Sequence, residues 1–366
     1  MKSPALQALP PDITCAGDYE PHARAALGAE AWAFLSSHAG TGQTVRANRQ
    51  AWDAIALLPR VLRGVRAIDT GSQLFGRPLP WPVLGAPMAL QRLAHPDGEV
   101  ALAVAASALG AGLVLGSQSS IRLETVASAF GPASGRGPLW FQLYLLPDRG
   151  ATLDLVRRAE DAGCEALVLT VDASARAARP QRLPPGISAV HVPPQSEGAT
   201  SLQELLARAP TWDDVAWLRA HTRLPLVLKG VLHPGDAREA QRQGVAGLIV
   251  SNHGGRVLDG AAATAAALPA IADAVAGTLP VLVDGGIQRG TDVLKALALG
   301  ASAVLVGRPL LWGLASAGAA GVAHVLRLLR DELELAMAQC GAAALPAIRT
   351  ELLALPQAGA RSSGWL

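Results

Sequence analysis

The sequence predicts an α/β protein folded as a TIM (β/α)8 barrel with a short N-terminal helical extension. Three observations support this fold: short apolar runs recur along the chain, segments of helical length separate them, and several of these segments end at a glycine. The runs are continuously apolar, which is typical of parallel strands covered on both faces. Eight such units over roughly 250 residues match a closed barrel in size and count.

The eight predicted strands alternate with predicted helices. In chain order the strands are Pro82–Ala86, Leu113–Gly116, Leu139–Tyr144, Ala166–Val171, Leu224–Leu228, Gly247–Val250, Pro280–Val283 and Ala303–Val306. The predicted helices include Gly98–Leu109, Thr152–Ala162, Trp212–His221, Pro234–Gln243, Ala262–Val275 and Gly290–Leu299. An open doubly wound sheet is the structural alternative. It would need a glycine-rich turn after its first strand, and Leu-Gly-Ala-Pro-Met at 84–88 is not such a turn.

This pattern divides the chain into three regions. They are a helical extension over 1–80 that packs on the barrel, the barrel over 81–345, and a C-terminal tail over 346–366. Between the fourth and fifth strands the chain is longer and rich in proline, so 179–211 is predicted to be a lid-like loop. In a barrel this loop would cover the opening at the carboxyl ends of the strands, where active sites lie.

The composition excludes several classes of protein. Half of the 366 residues are hydrophobic, 16% are charged and the net charge is only +2, which argues against a disordered chain, a coiled coil and a nucleic-acid-binding surface. The three cysteines are far apart and lack metal-ligand spacing, so we expect free thiols, no metal and a reducing, cytoplasmic location without a secretory signal. Two uncharged stretches, Val100–Ile121 and Pro309–Leu326, contain several glycines and are predicted to be buried in the fold.

Polar residues follow most of the predicted strands, at the end of the barrel where function is expected. Gln142 and Tyr144 lie at the end of the third strand, Thr170 and Asp172 at the end of the fourth, and Lys229 at the end of the fifth. The sixth strand is followed by Ser251 to Arg256, the seventh by Asp284 to Gly286, and the eighth by Gly307 and Arg308. A histidine supported by an acid can act as a base near neutral pH, which makes His253 and Asp172 candidates. Arg256 can hold a carboxylate by two hydrogen bonds. Lys229, one of only three lysines, would supply a fixed positive charge.

The last two strand ends predict a phosphate site. Glycines there let backbone N–H groups approach a phosphate, and Arg308 can add a charge-assisted contact. The segments that begin at Gly290 and Pro309 would present helix N-termini to the same place. The sequence therefore predicts a ligand or cofactor that carries a phosphate.

Six short motifs, taken together in this order, closely resemble one enzyme family. They are Ser251–Arg256 with Leu258–Gly260, Asp284–Ile287 with Arg289–Val293, Phe141–Tyr144, Leu169–Asp172, Leu228–Gly230, and Ala94–Pro96 with Gly98–Glu99. From about residue 48 to residue 330 the chain resembles the FMN-dependent 2-hydroxy-acid oxidases and dehydrogenases, a family that includes glycolate oxidase, lactate oxidase and mandelate dehydrogenase.

The resemblance implies FMN as the cofactor. It implies cofactor contacts from Pro87, Met88, Ala89, Ser117, Gln142, Thr170, Lys229, Ser251, Asp284, Gly285, Gly286, Gly307 and Arg308. Within this set the phosphate would lie near Gly286, Gly307 and Arg308, and Lys229 would stabilise negative charge on the reduced flavin. Oxygen, or a quinone or cytochrome, would be the final electron acceptor. The family also implies a homo-oligomer, specifically a tetramer.

The resemblance further implies a small-molecule L-2-hydroxy acid as the substrate, oxidised to the 2-oxo acid. His253 would take a proton from it, and Asp172 would stabilise the resulting imidazolium. Arg179 and Arg256 would bind the substrate carboxylate, and Tyr144 its hydroxyl group. The residues leave open whether a hydride or a carbanion carries the electrons, and whether the enzyme is an oxidase or a dehydrogenase.

The chain departs from the family pattern in three places. Phe34 stands where many members have a tyrosine that contacts the substrate carboxylate, and Gln288 stands where an arginine is frequent near the phosphate. After the second strand, Gly116 and Gln118 flank Ser117 where many members have two serines and a tryptophan. Phe34 and Gln118 motivate the hypothesis of a bulkier or more apolar substrate, such as an aryl-substituted 2-hydroxy acid. Two alternative functions stay open: an isomerase that uses reduced FMN, and a flavin-binding protein without turnover.

Overall fold

Three helices precede the barrel in the computed structural model, which describes residues 8–173, 184, 186–192, 201–207 and 209–355. They are α1 (Tyr19–Ala26), α2 (Ala29–Leu35) and α3 (Gln43–Ala54). Helix α3 buries Thr44, Asn48 and Trp52, which lie four residues apart and so share one face of the helix. The extension also contains short strands that the sequence pattern did not predict: β1 (Ala56–Leu57) and the hairpin of β2 (Ser72–Leu74) and β3 (Arg77–Leu79).

Eight parallel strands close into a barrel in chain order. They are β4 (Val83–Gly85), β5 (Gly112–Gly116), β6 (Leu139–Leu143), β7 (Ala166–Thr170), β8 (Leu226–Val231), β9 (Gly247–Val250), β10 (Val281–Val283) and β11 (Ala303–Val306). The barrel is closed by the parallel pairing of β11 with β4, with Val304 opposite Val83. All eight predicted strands are confirmed, with ends shifted by at most a few residues. The predicted TIM barrel is therefore correct.

Helices surround the barrel. They are α4 (Gly98–Ala108), α5 (Leu123–Phe130), α6 (Arg149–Asp161), α7 (Leu202–Ala207), α8 (Trp212–Ala220), α9 (Pro234–Arg242), α10 (Thr264–Val275), α11 (Gly290–Ala298) and α12 (Arg308–Cys340). The six that the sequence predicted (α4, α6, α8, α9, α10 and α11) end within one residue of the predicted ends. A last strand, β12 (Leu353–Ala354), pairs antiparallel with β1 and so connects the C-terminal end of the described chain to the N-terminal extension. Within the predicted lid-like loop at 179–211, residues 179–183, 185, 193–200 and 208 lie outside the described residues, and 202–207 form α7, which the loop prediction did not include.

Both uncharged stretches of the sequence are part of this packed fold. Residues 100–121 form most of α4 and all of β5, and residues 309–326 lie in α12. Among the described residues, α12 is the one helix that is long and apolar enough to cross a membrane, but 72% of its most apolar window is buried inside the fold. Its apolarity is therefore accounted for by packing against α4, α1 and α11.

Alternate residues of the strands fill the inside of the barrel. The inner cluster includes Leu84, Val114, Trp140, Val168, Val227, Ile249, Leu282 and Leu305. The hairpin of β2 and β3 closes the amino-terminal end, where Leu74 and Leu79 join the cluster and the Phe75 ring lies 5.4 Å from that of Trp140. Because one end is closed by apolar side chains, a ligand can enter only from the carboxyl ends of the strands.

An ion cluster at the closed end gives a stability prediction. Glu165, just before β7, lies 2.8 Å from Nη1 of the buried Arg136 and also pairs with Arg77. We expect Glu165→Gln to lower the free energy of unfolding by about 3 kcal/mol, since it leaves a buried guanidinium without its acid. Urea denaturation measures this change. The matched control, Asp154→Asn, removes an exposed partner of Arg157 and should have no measurable effect. Equal losses in the two variants would contradict the prediction.

Candidate active site

A deep cleft opens at the carboxyl ends of the barrel strands. It holds about 1160 Å³ of empty space, including its open mouth. Most of the residues proposed from the sequence line it: Phe34, Pro87, Met88, Ala89, Gln142, Tyr144, Thr170, Lys229, His253, Arg256, Asp284, Gly285, Gly286, Gly307 and Arg308. Ser117 and Ser251 are buried, and Asp172 is held behind His253. Arg179 lies outside the described residues.

His253 and Asp172 form a hydrogen-bonded pair at this cleft. Nδ1 of His253 lies 3.0 Å from Oδ1 of Asp172, and its other ring nitrogen, Nε2, lies 3.5 Å from the hydroxyl of Tyr144. The backbone of His253 is in the left-handed region, with φ of +57°, and its N–H donates to Oγ of Ser251 at 3.1 Å. Such a strained conformation is often found at functional sites. Here it turns Nε2 toward the cleft while Nδ1 stays with the carboxylate.

The electrostatics of this pair suit a base. Burial lowers the pKa of His253 below its usual value, although the hydrogen bond to Asp172 acts in the opposite direction. Burial also tends to raise the pKa of Asp172, but the hydrogen bond from His253 and the charge of Lys229 outweigh it and lower that pKa. At neutral pH the imidazole is therefore neutral and the carboxylate ionised, so Nε2 can accept a proton.

Lys229 places a buried positive charge beside the pair. Its Nζ donates to Oγ of Ser251 at 2.7 Å and lies 3.0 Å from Oδ2 of Asp284. Burial alone would lower the pKa of this amine, but the charges of Asp284 and Asp172 raise it. The next residue, Gly230, forms a bulge with φ of +108°, and a Cβ there would come within 2.6 Å of the Asp172 side chain. Glycine is thus needed to bring Lys229 and Asp172 together.

Arg256 and Phe34 form the outer wall of the cleft. The guanidinium of Arg256 donates to the backbone oxygens of Phe34 at 3.1 Å and Leu35 at 3.2 Å, and its Cζ lies 5.5 Å from the centre of the Phe34 ring. Helix α2 is thereby held against the mouth of the barrel. Phe34, which stands where many members of the family have a tyrosine that contacts the substrate carboxylate, lines this cleft.

The other end of the cleft suits an anion. Gly285 and Gly286, which follow β10, have φ of +90° and +83°, and Gly307 with Arg308 begins α12. The N–H groups of Gly286 and Ile287 donate to no acceptor among the described residues. Arg308 Nη2 donates to the Ser37 oxygen at 3.2 Å, and Gln288 also lines this end. Free backbone donors beside a guanidinium and a helix start are the usual components of a phosphate site.

Sequence reasoning missed four residues that hold these loops. Asn48 and Asn252 exchange two side-chain hydrogen bonds of 2.8 and 2.9 Å, both fully inside the protein. Arg49 and Trp52 hydrogen-bond the backbone that follows β10. Two signals in the sequence could have found them: the resemblance to the family begins at about Asn48, and Asn252 lies within the Ser251–Arg256 motif.

A phosphorylated flavin fits the residues present. Donors for a phosphate lie at one end, the Gln142 Nε2 donates to Thr170 Oγ1 at 3.0 Å along one wall, and Oγ of Ser117 is buried without a partner in the described chain. The buried amine of Lys229 stands where negative charge would be stabilised. Together with the hydrogen-bonded pair of His253 and Asp172, this set fits a flavin-dependent oxidoreductase.

Comparisons with known proteins agree with this class. The model of the FMN-dependent dehydrogenase family matches residues 23–355. The L-lactate oxidase of Alicycliphilus denitrificans is 50% identical over 94% of this chain and 97% of its own, and the 4-hydroxymandelate oxidase of Amycolatopsis orientalis is 46% identical over 91% and 96%. A crystal structure of mandelate oxidase with (S)-2-phenylpropionate superposes with a TM-score of 0.84 at 44% identity, over 93% of this chain and 98% of that one.

The chain therefore belongs to the FMN-dependent dehydrogenase family. Its cofactor is FMN, and it is an FMN-dependent oxidoreductase that acts on the CH–OH group of 2-hydroxy acids.

Proposed function

We propose that this enzyme is an L-2-hydroxy-acid oxidase that uses His253 as its base and oxygen as its final acceptor. The observation that carries the proposal is the orientation of the His253 ring, with Nδ1 on Asp172 and Nε2 toward the cleft that Arg256 lines. Relatives named L-lactate oxidase and 4-hydroxymandelate oxidase support oxygen as the acceptor. The cytoplasmic location and the tetramer stay predictions from the sequence.

Binding would orient the substrate at both of its polar groups. The guanidinium of Arg256 would hold the carboxylate, because its planar fork matches two carboxylate oxygens. Arg179 would be the second cation, and the Tyr144 hydroxyl, 3.5 Å from Nε2 of His253, would contact the substrate hydroxyl. The carbon that loses electrons would then lie next to the base.

Oxidation of a 2-hydroxy acid to a 2-oxo acid removes two electrons and two protons. FMN, when bound, would accept the electron pair together with one of the two protons. His253 Nε2 would take the other proton, and the ionised Asp172 at 3.0 Å would stabilise the imidazolium that forms. Lys229 supplies a positive charge close to the same wall of the cleft, and its pairing with Asp284 keeps that charge in place.

Two measurements on the purified protein test this proposal. The protein should be yellow, and an L-2-hydroxy acid added under nitrogen should bleach it in proportion to the 2-oxo acid formed. Admission of oxygen should restore the colour and produce hydrogen peroxide. A yellow protein that no 2-hydroxy acid bleaches would instead be a flavin-binding protein without turnover or an isomerase. Bleaching without reoxidation by oxygen would make it a dehydrogenase.

Phe34 gives a prediction about the substrate. It offers a ring in place of a hydroxyl, and an aryl group packed on such a ring gains about 0.5–1.5 kcal/mol. We therefore expect L-mandelate-type acids to reduce the flavin up to about tenfold faster than L-lactate or glycolate at low concentration. Anaerobic stopped-flow rates over a panel of acids measure this preference.

Phe34→Tyr should shift that preference toward the short acids, because the new hydroxyl can donate to a carboxylate. The matched control is Phe75→Tyr, which adds the same atom at the closed end of the barrel and should leave the ratio of rates unchanged. The aryl hypothesis fails if short aliphatic acids are faster with the unaltered enzyme.

A further inference from the structure

Helix α3 reaches the turn after β10 from outside the cleft. The indole Nε1 of Trp52, which is fully buried, donates to the carbonyl oxygen of Gly285 at 2.8 Å. One residue further on, Nη1 of Arg49 donates to the carbonyl oxygen of Gly286 at 2.7 Å. Two consecutive carbonyl groups are thus directed toward the same helix.

The direction of a carbonyl fixes that of the N–H in the same peptide unit. In a trans peptide the C=O of one residue and the N–H of the next point in opposite directions. Because the oxygens of Gly285 and Gly286 are turned toward α3, the N–H groups of Gly286 and Ile287 are turned away from it. Both residues line the cleft, and neither N–H has an acceptor in the part of the chain that the structure describes.

We propose that Arg49 and Trp52 are positioning residues for the cofactor phosphate. They contact neither cofactor nor substrate, but they hold two peptide units so that two backbone donors face the phosphate. This inference rests on the proposed phosphate position at Gly286, Gly307 and Arg308. It assigns a cofactor-binding role to a helix of the N-terminal extension, outside the barrel.

Helix α3 is itself held firmly enough for this role. Arg49 forms a two-pronged pair with the fully buried carboxylate of Asp292, at 2.6 and 2.9 Å, and Lys295 donates to the backbone oxygen of Trp52 at 2.8 Å. Asp292 and Lys295 both belong to α11, which begins just after the glycine turn. The turn therefore lies between two helices that are locked to each other. Close packing also holds the turn against α3, since a Cβ on Gly286 would come within 2.8 Å of the backbone oxygen of Asn48.

The test compares FMN with riboflavin, which lacks the phosphate. The full-length apoprotein is titrated with each flavin, and quenching of flavin fluorescence gives the two dissociation constants. We expect Trp52→Phe and Arg49→Lys each to raise the Kd for FMN about tenfold while changing the Kd for riboflavin by less than about twofold. Arg49→Lys keeps a positive charge beside Asp292 but removes the guanidinium, which also donates to the oxygen of Gly286. The two dissociation constants of this variant therefore test the inference even if the Trp52→Phe protein does not fold.

Two control variants match these changes. Trp81 is also fully buried and its Nε1 donates to a backbone oxygen, that of Leu109 at 3.0 Å, but near the opposite end of the barrel. Arg46 lies on α3 and donates to the oxygen of Thr41. Trp81→Phe and Arg46→Lys should leave the ratio of the two dissociation constants as in the unaltered protein.

The outcomes separate this inference from the proposal on which it rests. Arg308→Met should abolish most of the preference for FMN over riboflavin, and if it does not, the phosphate lies elsewhere and both fail. If Arg308→Met has that effect while Trp52→Phe and Arg49→Lys leave the ratio unchanged, only the positioning role is overturned. An equal loss of affinity for FMN and riboflavin would likewise overturn it, because that result indicates a general structural role.

Discussion

Replacing His253 with glutamine is expected to leave the protein yellow and to slow flavin reduction by substrate about 10³-fold or more. Glutamine retains a polar side chain of similar reach but cannot accept a proton at neutral pH. The affinity for FMN should change little, because Nδ1 of His253 is bonded to Asp172 and Nε2 faces the substrate side of the cleft. Anaerobic stopped-flow absorbance measures the rate, and fluorescence titration measures the affinity.

The pH dependence of the unaltered enzyme provides the control for this variant. Burial lowers the pKa of His253, so the neutral imidazole predominates from the usual histidine value of about 6.5 upward. The ratio kcat/KM should be level above that value and should fall only at lower pH, as the ring becomes protonated and can no longer act as a base. The residual activity of His253→Gln should lack this acid limb. If kcat/KM of the variant fell at the same low pH, the titration would belong to another group.

Replacing Asp172 with asparagine is expected to slow flavin reduction about 10²-fold. The amide oxygen can still accept a hydrogen bond from Nδ1, so the orientation of the ring survives, but the negative charge that stabilises the imidazolium is lost. Removal of that charge lowers the pKa of His253 further, and the acid limb of kcat/KM should move to lower pH. Rate and pH profile together distinguish a lost charge from a misplaced ring.

The double variant gives a further check on this pair. Because Asp172 acts through His253, the loss in the variant that carries both changes should be close to that of His253→Gln alone. Additive losses would mean that Asp172 acts independently of the histidine. An Asp172→Asn enzyme with an unchanged acid limb would contradict the assignment of that limb to this pair.

The fold could be predicted because its signals are local. Each strand of the barrel contains a short run of apolar residues, and glycines such as Gly163 and Gly300 adopt positive φ just after the helices end. The hairpin of β2 and β3 was missed because its strands have three residues each, one of them containing a proline. Such a hairpin is recognised by what it packs against, the Trp140 ring inside the barrel, and not by its own periodicity.

The candidate site could be predicted in outline for a similar reason. In a parallel barrel the residues after each strand meet at one end, so the topology alone brings His253, Lys229 and Asp172 together. The contacts of α3 could not be predicted in this way. Trp52 and Gly285 are far apart in sequence, and an apolar residue on a helix face is usually interpreted as core packing. Only the position of its indole N–H reveals the second role.

The scarcity of lysine in this chain gains a practical consequence from the structure. Lys229 and Lys295 are both buried, and each Nζ donates a hydrogen bond, one to Ser251 and the other to the Trp52 backbone. A reagent that acylates free amines can modify them only after the surrounding contacts open. Lys229 would become reactive when the floor of the cleft opens, and Lys295 when α3 separates from α11. The acylation rates of the two amines would therefore measure the opening of two different parts of the same molecule.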